Sequence, residues 1–100
     1  DGSIRNGYTV KLLNKIPEPR TVVVTMQGLP GGMMSIVGID QPEDRSFAIS
    51  LDPDRLKTLK VYVRQAREQI AGRTQNFRFV VEDKSSLESD AYTAKFDAPE

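Results

Sequence analysis

The most distinctive side chains in this sequence are three methionines, Met26, Met33 and Met34. Thioether sulfur is a soft ligand that selects Cu(I) when harder ligands are missing, and two or three thioethers converging on one exposed spot would make such a site. The competing reading is packing. Methionine fills irregular gaps in apolar cores, and neighbours such as Met33 and Met34 point to opposite faces of a strand. Packing carries more weight, because the sequence has no Cys and no His to complete a copper site. The same two absences remove disulfides, thiolate chemistry, most transition-metal sites and the usual general base at neutral pH. Serines and acids are plentiful, but a serine nucleophile needs a positioned base. We therefore expect no catalytic residue, no cofactor and no resident metal within this chain, with Met26, Met33 and Met34 as the copper candidates if one exists.

Two further patterns invite a function. Gly28-Leu29-Pro30-Gly31-Gly32 looks like a phosphate-cradling loop, yet no Lys-Ser/Thr and no helix follow it, and Pro30 removes one of the amides that would hold an anion. It reads as a turn. Charge is the second pattern. The chain balances 14 basic against 14 acidic residues, but Arg55 to Arg78 holds seven bases and one acid, whereas residues 82–100 hold six acids and two bases. Lys60, Arg64, Arg67 and Arg78 are the candidate partner-binding residues, since such a basic stretch can face anionic lipid headgroups or an acidic protein. The plainer alternative is a solvated face whose cations guard an edge strand against aggregation. A nucleic-acid partner is not expected, because the domain is neutral overall and no aromatic platform interleaves the bases.

Strands must position these residues. Tyr8, Val10 and Leu12 alternate with Thr9 and Lys11; Thr21 to Gln27 is rich in β-branched residues; Phe47, Ile49 and Leu51 alternate with small polar residues; Phe77, Phe79 and Val81 alternate with Arg78 and Val80; and Tyr92, Ala94 and Phe96 share a face. With Met34 to Ile39 and one strand from the middle, strand starts fall near residues 8, 21, 34, 46, 58, 75 and 91. The expected fold is all-β, an immunoglobulin-like sandwich of about seven antiparallel strands in a single domain over residues 1–100. Its expected core comprises Tyr8, Val10, Leu12, Val22, Val24, Ile36, Phe47, Ile49, Val61, Val63, Phe77, Phe79, Val81, Tyr92 and Phe96. The segment Asp52 to Gly72 is ambiguous. Leu56, Leu59, Val63, Ala66 and Ile70 step at helical spacing behind an Asp52-Pro53 start, but Lys60-Val61-Tyr62-Val63-Arg64 alternates at period two and is β-branched and aromatic. We expect a strand from about Leu59 to Ala66. No apolar run reaches membrane-spanning length, no leader is visible, and a start at Asp1 suggests a C-terminal fragment that has lost one upstream strand.

Asn6-Gly7-Tyr8-Thr9-Val10-Lys11-Leu12-Leu13-Asn14-Lys15, Val24-Thr25-Met26-Gln27-Gly28-Leu29-Pro30-Gly31 and the closing strands around Phe77-Arg78-Phe79 together resemble the C-terminal immunoglobulin-like domain of the FixG (CcoG) family. The resemblance covers nearly the whole chain. It implies a parent protein in the bacterial inner membrane that carries two [4Fe–4S] clusters and serves maturation of the cbb3-type cytochrome oxidase, with reduction of Cu(II) to Cu(I) as its proposed activity, in operons associated with nitrogen fixation. It further implies that this domain is a soluble, periplasmic, non-catalytic accessory module. Its partners would be its own membrane domain or oxidase-assembly proteins, with possible contact to the membrane surface.

Overall fold

Period-two alternation becomes seven strands: β1 (Ser3–Leu13), β2 (Arg20–Gln27), β3 (Met33–Ile36), β4 (Ser46–Leu51), β5 (Leu56–Ala66), β6 (Thr74–Asp83) and β7 (Ser89–Asp97). This computed structural model describes residues 3–14, 17–70, 72–83 and 89–98, so most of the polar connection expected from Ser85 to Asp90 lies outside the described residues. The strands form two antiparallel sheets, one ordered β1-β5-β3 and the other β4-β2-β6-β7. Their inner faces enclose one apolar core that includes Val24, Met34, Phe47, Val61, Val63 and Phe96. The expected immunoglobulin-like sandwich is thus the observed fold.

The ambiguous middle segment is a strand over Leu56–Ala66. β5 buries Leu59, Val61, Val63 and Gln65 and turns Lys60, Tyr62 and Arg64 outward, and only Arg67–Gln69 coil into a 3-10 turn. Helical spacing of leucines loses here because a helix would have taken Val61 out of the apolar stripe. β5 is also the central strand of its sheet, pairing with β1 from Ser3↔Ala66 to Leu13↔Leu56 and with β3 from Met33↔Arg64 to Ile36↔Val61. β1 therefore starts at Ser3, five residues before the alternation becomes obvious at Tyr8.

Polar side chains fasten the layers. Asn6 donates from Nδ2 to the Asp97 carbonyl at 2.9 Å, and the Tyr8 hydroxyl donates to the Lys95 carbonyl at 2.6 Å, so β1 is tied across the sandwich to β7. The Tyr8 ring meets Phe77 and Phe79 edge-on, each at 5.5 Å between centroids. Asn14 is fully buried and donates to the carbonyls of Glu18 and Asp52, joining the loops that leave β1 and β4. Arg20 pairs with the buried Asp83 on the neighbouring strand β6. Buried Gln65 donates to the Pro30 carbonyl at 2.8 Å and accepts from Gln75 at 2.7 Å. Burial of these groups is tolerable because each finds its partners.

Of the expected core, Tyr8 and Val81 are only partly buried against it, and Tyr92 lies outside it. Tyr92 pairs with Phe79 on the inner face of its sheet but stays 45% exposed, because a three-stranded sheet does not reach over the start of β7. Met26, Leu29, Met34, Leu51 and Leu59 join the core instead.

Candidate functional site

The methionines do not converge. Met26 and Met34 are 2% and 0% exposed inside the sandwich, whereas Met33 lies half-buried on the outer side of β3 in register with Arg64. Met33 and Met34 thus occupy opposite faces, as adjacent strand residues must. Among the described residues no group of three His, Cys, Asp or Glu is placed to hold a metal ion.

The glycine-rich segment is a turn built on a guanidinium. Arg45, just before β4, donates from Nη1 to the carbonyls of Gly32 (2.8 Å) and Leu29 (3.2 Å) and from Nη2 to those of Gly28 (2.6 Å) and Met26 (3.3 Å). These contacts point the turn's carbonyls at a cation, which is the opposite of an anion cradle. Gly28 has φ of 86°, and Leu29 holds φ of 55° while its side chain is buried, so packing and Arg45 together stabilise a conformation that leucine seldom adopts.

The remaining site is a sheet face. Alternation turns Arg5, Gly7, Thr9, Lys11 and Leu13 of β1 outward beside Arg64, Tyr62, Lys60, Thr58 and Leu56 of β5, in that register. Four cations, Arg5, Lys11, Lys60 and Arg64, share this surface with no acid from its own strands. Among the described residues, the acid that pairs with this face is Glu43, from the segment between β3 and β4, which binds Arg64 through both oxygens, at 2.6 and 3.1 Å. The Arg64 hydrogen bonds hold the Glu43 carboxyl below its ordinary range. Arg5 lies 4.8 Å above the Tyr62 ring, and that ring lies so close over Gly7 that a Cβ there would meet it at 3.2 Å. Any side chain at position 7 would require the Tyr62 ring to shift by a few tenths of an ångström. At one end of the face Leu13 and Leu56, cross-strand partners, are 51% and 57% exposed.

The structure brings two of the four partner-binding candidates, Lys60 and Arg64, onto this face. Arg67 is exposed in the 3-10 turn beyond β5, and Arg78 projects from the outer face of β6 in the other sheet, bonded to Gln27. Arg5 and Lys11 were missed because they lie more than 40 residues from the basic stretch; their outward parity in β1 was the available signal. On the outer face of the second sheet, Arg78 and Lys95 stand with Glu82 and Asp97, so charge there is balanced.

Fold and site together define an immunoglobulin-like sandwich with one cationic sheet face. Residues 1–99 match the family described as the IG-like fold at the C-terminal of FixG, and the chain belongs to that family. It is 42% identical over 99 residues, 99% of its length, to the nitrogen fixation protein FixG of Rhizobium meliloti (strain 1021), and spans 19% of that relative. It also resembles the crystal structure of a FixG-related protein from Vibrio parahaemolyticus, with a TM-score of 0.79 at 20% identity over 96% of this chain and 80% of that one, a likeness of fold. The family resemblance carried by the Asn6-to-Asn14 stretch is borne out, and in the structure Asn6, Tyr8 and Asn14 of that stretch are fasteners.

Proposed function

We propose that this chain is the non-catalytic accessory domain of a FixG-type membrane iron–sulfur protein that serves cbb3-type oxidase maturation and copper reduction, and that it works by presenting a sheet face to an oxidase-assembly partner or to the membrane portion of its own parent. Family membership over essentially the whole chain is the observation that carries this reading. The segregation of charge onto one face supports an interaction role, since a field of one sign steers association with a partner of the other. Iron–sulfur clusters are held by cysteine thiolates, and this sequence has no cysteine, so any cluster of the parent is ligated by other parts of it.

The test is removal of this domain from the full-length protein in a strain that depends on the oxidase, with assembled, copper-loaded oxidase as the readout. Loss of maturation while the remaining membrane protein still accumulates is the expected result. Normal maturation without the domain would overturn the proposal.

A further inference from the structure

The geometry points to the outer face of the β1-β5-β3 sheet as a surface that docks on an anionic lipid bilayer, with Arg5, Lys11 and Lys60 over the headgroups and Leu13 and Leu56 at the apolar end. This deepens the proposal above and rests on its reading of that face as the working surface of the module.

Charge complementarity is the first argument. The domain is neutral, yet its two outer faces are not alike. Among the described residues, one carries four outward cations with Glu43 engaging Arg64 from outside, while the other balances Arg78 and Lys95 against Glu82 and Asp97. Random scatter of charge for solubility does not require that division. Among the described residues Arg5, Lys11 and Lys60 form no salt bridge, and they are spread along the face, Arg5 and Lys11 about 20 Å apart at the usual strand rise. Such a spread matches a continuous anionic plane better than a single phosphate.

Shape is the second. An acidic protein that docks specifically needs a pocket for an anchor side chain at the centre of the interface. Here the centre is flat: the Tyr62 ring lies across Gly7 and Arg5 lies over the ring, while the concavities that Thr9, Lys11 and Leu13 border open at the β1 edge and are not lined by Lys60, Tyr62 or Arg64. A fluid headgroup layer needs no anchor pocket. The exposed Leu13–Leu56 pair at the end of the face supplies apolar area that can enter the headgroup–acyl boundary, as amphipathic membrane-surface elements do.

The experiment is cosedimentation of the 100-residue chain with vesicles of phosphatidylcholine alone and of phosphatidylcholine mixed with phosphatidylglycerol. Each basic residue near an anionic surface is worth roughly fivefold in affinity, so three predict a preference for the anionic vesicles on the order of a hundredfold at low salt, shrinking as salt shortens the Debye length. Lys11→Glu/Lys60→Glu should abolish that preference. Arg78→Glu/Lys95→Glu, which alters total charge by the same amount on the opposite sheet, should keep most of it. Thermal melts check that both variants fold, and Lys11→Gln/Lys60→Gln replaces the first if it does not. Equal partition onto neutral and anionic vesicles, or equal loss in the two variants, would overturn the inference. If the wild type ignores lipid while Lys11→Glu/Lys60→Glu in the full-length protein still blocks oxidase maturation, the working face stands, its partner is an acidic protein, and the lipid inference falls.

Discussion

Tyr8 holds β1 to the rest of the sandwich in two ways that differ by a single oxygen atom. Its ring packs edge-on against Phe77 and Phe79, and its hydroxyl donates to the Lys95 carbonyl. Burial, and secondarily the charge of Asp97, pushes the phenol up from 10.0 to about 12. In the unfolded chain the phenol ionises near its ordinary value, while the folded state keeps the proton. The contribution of Tyr8 is therefore fully present below pH 10 and is lost as pH rises through about 12. Tyr8→Phe keeps the ring pairs and removes the donor. It should cost about 1 kcal/mol at neutral pH, and urea unfolding followed between pH 10 and 12 should show a shallower decline in stability than in the wild type. An equal decline in both proteins would mean that Tyr8 is not the group responsible.

At the scale of elements, the strands were legible wherever one face of a sheet is buried, because burial enforces alternation. Phe77, Phe79 and the Phe47-Ile49-Leu51 series are buried as their spacing demands. β5 was harder to read. Leu56 belongs to a helix-like series, but in the strand it points outward at the apolar end of the cationic face while Leu59 points inward. The turn after β2 was legible as a turn from its glycines and proline, but its organiser was not, since nothing in the sequence links Arg45 to carbonyls 13 to 19 residues earlier. Removing that organiser should loosen one element and leave the others. Arg45→Ala withdraws four charge-assisted contacts, some of whose carbonyls recover water, and should cost about 2–3 kcal/mol. Amide exchange should quicken most at Gly32, whose N–H donates to the Leu29 carbonyl within the turn. Arg45→Lys should recover less than half of the loss, because an ammonium cannot fork across four carbonyls. Full recovery by lysine would show that charge alone is needed.

The whole molecule is unequal, with three strands over four, and that inequality could not be read from alternation. Period two states which face a residue takes, not whether another layer covers it. Tyr92 faces inward and was expected in the core, yet it lines two concavities, one of about 330 Å³ between β1 and β7 and one of about 370 Å³ that extends from Leu12 and Leu13 over Val22, Leu51 and Val81. The cationic face was half-legible for a related reason. Lys60 and Arg64 sit on one strand, so their spacing declares a shared face, whereas their association with Arg5 and Lys11 depends on the pairing of β1 with β5. Coverage predicts energetics that residue type alone does not. Phe96, two positions past Ala94 on the same inner side of β7, is 0% exposed, and Phe96→Ala should cost about 3–5 kcal/mol through lost burial and the cavity left behind. Tyr92→Ala removes an aromatic of similar size from the same strand and the same side, but nearly half of its surface already meets water and no enclosed cavity is left, so it should cost less, about 1–2 kcal/mol. Chemical denaturation of the two variants compares them directly. Comparable losses would mean that the space beside Tyr92 closes in solution and that the β1-β5-β3 sheet reaches over the start of β7.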